Sequence, residues 1–223
     1  MEKRFDGGWI ANPEQVNMVH MKRPVAALKN IAMTSSANYN PQSERQPMIF
    51  TVGLMSYAPN YLGVDAFLTN IWPTVKKAYP EMTYKLAGKG IPEEYQQKWE
   101  KIDGVELLGF VEDLEPLYEQ CLATVVPVDS GGGTCIKTLE AMAYSRIPLA
   151  TQFGARGYDD TVGKTVFVYH NAEEFLDILN KQIMDESARS LNEQNAKRYV
   201  DDNYSQANFT KTVVDYINQA MSK

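Results

Sequence analysis

From residue 48 onward, short apolar runs of strand length alternate with longer segments whose apolar positions recur at helical spacing. Residues 48–54 form an apolar, partly β-branched run that stops at Ser56 and Pro59-Asn60, the pattern of a buried strand. Val64, Phe67, Leu68, Ile71, Val75 and Tyr79 then keep to one helical face, with a kink expected at Pro73 because proline lacks the N–H that the helix needs. Further strands are expected over 82–87, 105–108, 122–128, 147–150 and 165–169. Helices are expected over 92–102, 114–120, 134–144, 172–184, 186–201 and 206–221, the last with Ser205 as its N-cap.

Strands that alternate with helices predict a Rossmann-like α/β fold, a parallel sheet with helices on both faces. In such sheets ligands sit at the carboxyl ends of the strands. That directs attention to the loops 56–63, 88–92, 109–112 and 129–134. Residues 1–47 have a different texture, with Gly7-Gly8, Pro13, Pro24 and a polar stretch before Pro47. A short helix is conceivable over 14–21, and the segment reads as an extension or a stub of something larger. The expected organisation is therefore an extension over 1–47, a nucleotide-binding domain over 48–203 and a terminal helix over 204–223.

The charge balance narrows the partners. Lys plus Arg number 22 against 28 Asp plus Glu, a net charge of −6, and no dense basic run exists to neutralise a nucleic-acid backbone. Two cysteines, Cys121 and Cys135, and two distant histidines, His20 and His170, form neither a disulfide framework nor a metal-ligand set. No apolar run reaches bilayer length, and the first residues are too polar for a signal peptide. The cytoplasm is the default address, with peripheral attachment at the inner membrane face left open.

The chemistry concentrates where the strand ending Val125-Val126-Pro127-Val128 runs into Asp129-Ser130-Gly131-Gly132-Gly133-Thr134. Glycines let backbone N–H groups approach an anion, and a following helix N-terminus adds partial positive charge. Thr134, Lys137 and Glu140 are spaced by three and share one helix face. They offer a phosphate end, a cation and a carboxylate for ribose hydroxyls, with Lys137 and Glu140 as the candidate catalytic pair. Two plainer readings stand beside this one: a flexible glycine turn, and a solvated Lys137 paired with Glu140. A P-loop fails at Ile136, where the second glycine of that motif belongs, and Ile136 likewise displaces the last glycine of a dinucleotide fingerprint.

The run from Gly131 to Ala143, followed by Ile147-Pro148-Leu149-Ala150-Thr151 and Gly154-Ala155-Arg156-Gly157, resembles the donor-site signature of group-1, GT-B-type glycosyltransferases. Val52-Gly53-Leu54-Met55-Ser56-Tyr57, Leu86-Ala87-Gly88 and Gly109-Phe110-Val111-Glu112-Asp113-Leu114 agree with it in order. The resemblance covers residues 48–221. It implies one half of a GT-B architecture that binds a UDP- or GDP-sugar as substrate, without a cofactor, and moves the glycosyl group to a glycan or lipid-linked acceptor. It also implies a ribose contact at Glu140, base contacts at Phe110 and Val111, and phosphate contacts near Gly53, Ser56 and the glycine loop. Arg156 is kept as an alternative phosphate ligand.

Two departures matter. The first glutamate of the family's E-x7-E pair falls on Gly132, and the segment 56–63 carries neither the arginine nor the lysine common after the first strand. Because GT-B enzymes use two domains of similar size, an N-terminal acceptor domain is expected as a partner, with this chain inactive alone. The alternative is a non-catalytic nucleotide- or protein-binding module on the same fold.

Overall fold

The computed structural model describes residues 8–11, 16, 25–31 and 42–221. Near the N-terminus, strands β1 (Gly8–Ile10) and β2 (Val25–Ala27) form a parallel pair that the sequence pattern did not reveal. The ring of Trp9 packs on Tyr216 at 5.3 Å. The helix considered over 14–21 lies outside the described residues, apart from position 16.

The main body is a six-stranded, all-parallel sheet. Its elements in order are β3 (Met48–Val52), α1 (Ala58–Asn70), α2 (Trp72–Ala78), β4 (Thr83–Ala87), α3 (Glu93–Trp99), β5 (Val105–Gly109), α4 (Glu115–Gln120) and β6 (Ala123–Val126). These are followed by α5 (Ile136–Ala143), β7 (Pro148–Ala150), β8 (Phe167–Val168), α6 (Ala172–Ile178), α7 (Glu186–Asn203) and α8 (Gln206–Met221). The strand order is β5-β4-β3-β6-β7-β8, which is 3-2-1-4-5-6 when β3 is counted as the first. That is the Rossmann order, and its topological switch point lies between β3 and β6.

Side-chain alternation explains why both faces are covered. Ile49, Val125 and Leu149 point into a core with Phe67, Trp72, Trp99 and Phe175, whereas Phe50, Val126 and Ala150 face α4, α5 and α7. Trp72 and Trp99, expected as packing aromatics, are buried, with indole N–H groups donating to the Asp103 carbonyl and the Asp65 carboxylate.

Several boundaries differ from the pattern. The helix expected through Tyr79 breaks at Ile71, and Pro73 sits in the first turn of α2, where no N–H is required. The loop expected over 56–63 is helical from Ala58, with Pro59 in the first turn of α1. The helix expected from Thr134 starts at Ile136, because Gly133 has φ +70° and Cys135 is extended. The helix expected over 172–184 changes to a π-helical segment, Leu179–Met184. Ser205 accepts from the Asn208 N–H at 3.3 Å, as its N-cap role required. No helix among the described residues is long and apolar enough to cross a membrane.

Two features hold the two edges of the sheet in place, Gly63 at the carboxyl edge and Arg146 at the amino edge. Gly63 lets α1 lie directly on β6: a Cβ there would stand 1.9 Å from the Pro127 carbonyl oxygen. We expect Gly63→Ala to cost about 3 kcal/mol, the upper part of the overpacking range, and a thermal-unfolding midpoint changed by less than about 2 °C would contradict this packing. On the opposite side, Arg146 is completely buried between α5 and β7. It donates to the carbonyls of Tyr118, Ser145 (2.8 Å) and Glu119 (3.3 Å) and lies 3.5 Å from Glu193, which Arg45 also meets at 3.1 Å. This ties the segment before β3 to α4, α5 and α7.

Candidate functional site

At the switch point, two cavities flank the end of β3. The first, about 220 Å³, is lined by the glycine loop Gly131-Gly132-Gly133-Thr134, by Tyr57 and Asn60 at the start of α1, and by Lys137 and Phe153. The second, about 300 Å³, is mainly apolar and is lined by Val52, Gly53, Leu54, Ala87, Phe110, Val111 and Leu114, with Gly88 and Lys89. The sheet puts them side by side because β3 and β6 are neighbours whose following loops diverge to opposite faces.

Lys137 connects the two. Its Nζ lies 2.5 Å from the Asn60 Oδ1, while the Asn60 Nδ2 donates to the Leu54 carbonyl at 2.7 Å. A Cβ at Gly53 would come within 2.9 Å of the Lys137 Cε. The lysine therefore runs from α5 across the switch point to the loop after β3, a placement that glycine at 53 permits. Burial lowers its pKa from the ordinary lysine value. A part-buried ammonium whose one hydrogen-bond partner among the described residues is neutral gains from an incoming anion.

The glycine loop is braced from outside. Arg156 donates through Nε (3.2 Å) and Nη2 (2.5 Å) to the Gly133 carbonyl, and its guanidinium stacks on Phe153 at 4.2 Å. Two of its three guanidinium nitrogens are thus engaged by the loop backbone, which it supports. Thr134 stands before the helix, where its hydroxyl accepts from the Asn30 Nδ2 at 2.7 Å. Gly132 has open space around a hypothetical Cβ. Its backbone is not left-handed, so an ordinary residue would fit.

Glu140 lines neither cavity. It lies half-buried beside Tyr118, and burial raises its pKa while the Tyr118 hydroxyl acts in the opposite direction. Ser56 also lies outside both linings, against the turn at Gly90. Phe110 is 70% exposed at the mouth of the apolar cavity. A register shift between β4 and β5 pairs Leu86 with Leu107 but Ala87 with Gly109, and this bulge turns the chain at Gly109 (φ +65°) towards the cavity.

The structure brings Gly53, Phe110 and Val111 to one cavity and Gly131, Gly132, Gly133, Thr134 and Lys137 to the other. Sequence reasoning assigned no role to Asn60, Tyr57 or Lys89. Asn60 stood within the Pro59-Asn60 pair, but its meeting with Lys137, 77 positions away, has no local signal. Lys89 lies in a turn between glycines, with its Nζ 5.7 Å from the Phe110 ring centre, and supplies a cation that the segment after β3 lacks. Among the described residues, no group of three or more His, Cys, Asp or Glu is arranged to hold a metal ion.

The family described as Glycosyl transferases group 1 matches residues 46–185, more than half of the chain. No curated protein sequence matches. Among solved structures, TarM of S. aureus is similar over 96% of this chain and 43% of its own, with TM-score 0.77 and 15% identity. Sucrose-phosphate synthase from Thermosynechococcus elongatus is similar over 99% and 59%, with TM-score 0.72 and 12% identity. Anabaena HepE, solved with UDP and glucose, is similar over 94% and 62%, with TM-score 0.73 and 13% identity. At such identities the likeness is one of fold. The chain spans about half the length of the solved structures it matches, 43% to 63%.

Proposed function

We propose, because this chain belongs to the group 1 glycosyl transferases, that it is the donor-binding domain of a transferase that takes its glycosyl group from a UDP- or GDP-sugar. The observation that carries this reading is Lys137, whose ammonium stands at the switch point between the glycine loop and the loop after β3. The diphosphate would lie against Lys137 and the backbone N–H groups of Gly131–Thr134. The base would enter the apolar cavity against Phe110 and Val111, with Lys89 at its side. Positive charge and N–H dipoles placed where a diphosphate leaves are the largest common contribution to such a transfer.

Glu140 is the assigned ribose contact, and reaching the ribose requires the nucleotide to bridge the two cavities along Val52 and Leu114. The acceptor, a glycan or lipid-linked sugar in this reading, would be held by a second domain facing the same edge. Titration calorimetry with UDP, GDP and ADP tests the assignment. UDP or GDP is expected to bind, and Glu140→Ala is expected to weaken it about tenfold, the size of one hydrogen bond to a charged group. Binding of none of the three would remove the donor reading.

The pH dependence has a definite sign. Lys137 has a lowered pKa in the fold, so the free protein gains stability from this group as pH rises from that pKa towards the unfolded lysine value. A diphosphate needs the ammonium, so nucleotide affinity is expected to fall over the same window. Affinity measured with rising pH should decline more steeply in the parent than in Lys137→Met, and equal slopes would contradict the role.

A second reading is favoured by one observation. Gly132 stands where the family resemblance places a glutamate, so a binding module without transfer would keep the nucleotide site and lack that carboxylate.

A further inference from the structure

The glycine loop is the freest backbone of the site, with positive φ at Gly131 (+133°) and Gly133 (+70°). Glycine loses more conformational freedom on ordering than any other residue, so an anion cradle built from it depends on what holds it in shape. Two holders come from the segment after β7. Arg156 donates to the Gly133 carbonyl, and the Tyr158 hydroxyl donates to the Cys135 carbonyl at 3.1 Å. These two grips fall on either side of Thr134.

The third holder comes from the other end of the sequence. Asn30 stands three residues beyond β2 and donates through Nδ2 to the Thr134 hydroxyl oxygen at 2.7 Å, across 104 positions. Its neighbours are anchored in turn: the Leu28 N–H donates to the Ile10 carbonyl at 2.9 Å, and the Lys29 Nζ lies 5.0 Å from the Tyr204 ring centre. The methyl branch of Thr134 rests on Gly157, where a Cβ would come within 2.5 Å of the Thr134 Cγ2. The Tyr158 hydroxyl also stands beside that of Thr134. A β-branched side chain has few χ1 choices, and one wall for the methyl with one donor for the hydroxyl selects among them.

Holding Thr134 matters for the backbone on both sides of it. The peptide bonds are trans, so each C=O points opposite to the N–H of the same peptide unit. With the Gly133 carbonyl on Arg156, the Thr134 N–H turns away from that side chain; with the Cys135 carbonyl on Tyr158, the Ile136 N–H turns away likewise. Neither N–H donates to another described residue. Thr134, Cys135 and Ile136 line the glycine-loop cavity, whereas Asn30, Arg156 and Tyr158 do not.

We propose that Asn30 is a positioning residue of the donor site, which holds the glycine loop through the Thr134 hydroxyl so that the Thr134 and Ile136 N–H groups stay presented to the diphosphate. Asn30 acts without touching the nucleotide. It lies outside residues 46–185, the part of the chain that the family matches, and so extends the site to the segment after β2. The inference rests on the donor reading of this cavity.

The test is NMR titration of the full chain with UDP and uridine, and with GDP and guanosine. Asn30→Ala is expected to weaken the diphosphate that the parent binds about fivefold, the size of one neutral hydrogen bond, and to leave the matching nucleoside within about 1.5-fold. Thr134→Val is expected to give the same pair of results, and it breaks the same bond from the other side should Asn30→Ala fail to fold. The double variant is expected to be no weaker than either single one, because both remove one shared interaction. Thr134→Ser keeps the accepting oxygen and is expected to stay within about twofold of the parent. An unchanged diphosphate affinity in Asn30→Ala, an equal loss for the nucleoside, or losses that multiply in the double variant would overturn the inference alone. A parent chain that binds neither UDP nor GDP would overturn the donor reading and this inference with it.

Discussion

Replacing Lys137 by methionine is expected to weaken UDP or GDP by 30-fold to 1,000-fold, about 2–4 kcal/mol, in line with the loss of one partner from a buried charge pair. The variant keeps the aliphatic stem that lies over Gly53, so the packing there survives and the effect isolates the ammonium. Its own stability is expected to hold or rise, because the fold currently shelters a charge that burial disfavours. Among the described residues the Lys137 ammonium donates only to the Asn60 Oδ1, at 2.5 Å, a neutral oxygen that a phosphate outcompetes. Calorimetry of both proteins checks the affinity, and a change below threefold would show that the phosphates lie elsewhere.

Arg146→Met is expected to cost about 4 kcal/mol of stability, within the 3–5 range for breaking a buried charge network on one side. For a chain of this size that corresponds to a midpoint lower by about 8–16 °C. The guanidinium satisfies three carbonyls and faces Glu193, and methionine leaves all of them short of a donor in a site with no exposure. Glu193 retains Arg45, so the loss stops short of an uncompensated carboxylate. Equilibrium unfolding in urea gives the number, and a cost under 1 kcal/mol would mean that the network sets geometry without holding the fold together.

These two residues also mark where the sequence could and could not be read. Lys137 was found because the glycine run and the helix that follows it are contiguous, so the chemistry of an anion cradle is written in neighbouring positions. Its partner Asn60 was not, since only the closed sheet brings the end of β3 beside β6. Arg146 carries no local sign of burial: one charged residue before Ile147-Pro148 reads as a surface turn until α4 and α7 close over it. The alternation of strands and helices was legible because a parallel sheet covered on both faces needs uniformly apolar strands. The strand order was not, and neither was the pairing of β1 with β2, whose three-residue lengths give no periodicity to detect.

Ends of elements were shifted where backbone conformation outweighed hydrophobic pattern. Left-handed Gly133 and extended Cys135 keep the chain out of the helix before α5, which places the Thr134 hydroxyl against Asn30 instead of in the first helical turn. Pro59 allowed α1 to begin inside what composition suggested was a loop, and that early start is what brings Tyr57 and Asn60 to the glycine loop. The apolar cavity was legible only as the motif around Phe110, and the bulge that turns the chain towards it became visible with the register of β4 and β5.

The most direct measurement is an amide chemical-shift map of the chain saturated with UDP, repeated with GDP. The account expects one of them to shift Gly53, Gly131, Gly132, Gly133, Thr134 and Val111 together, because the two cavities at the switch point would be filled by one molecule. Shifts confined to the surface away from β3 and β6, or none with either nucleotide, would contradict it.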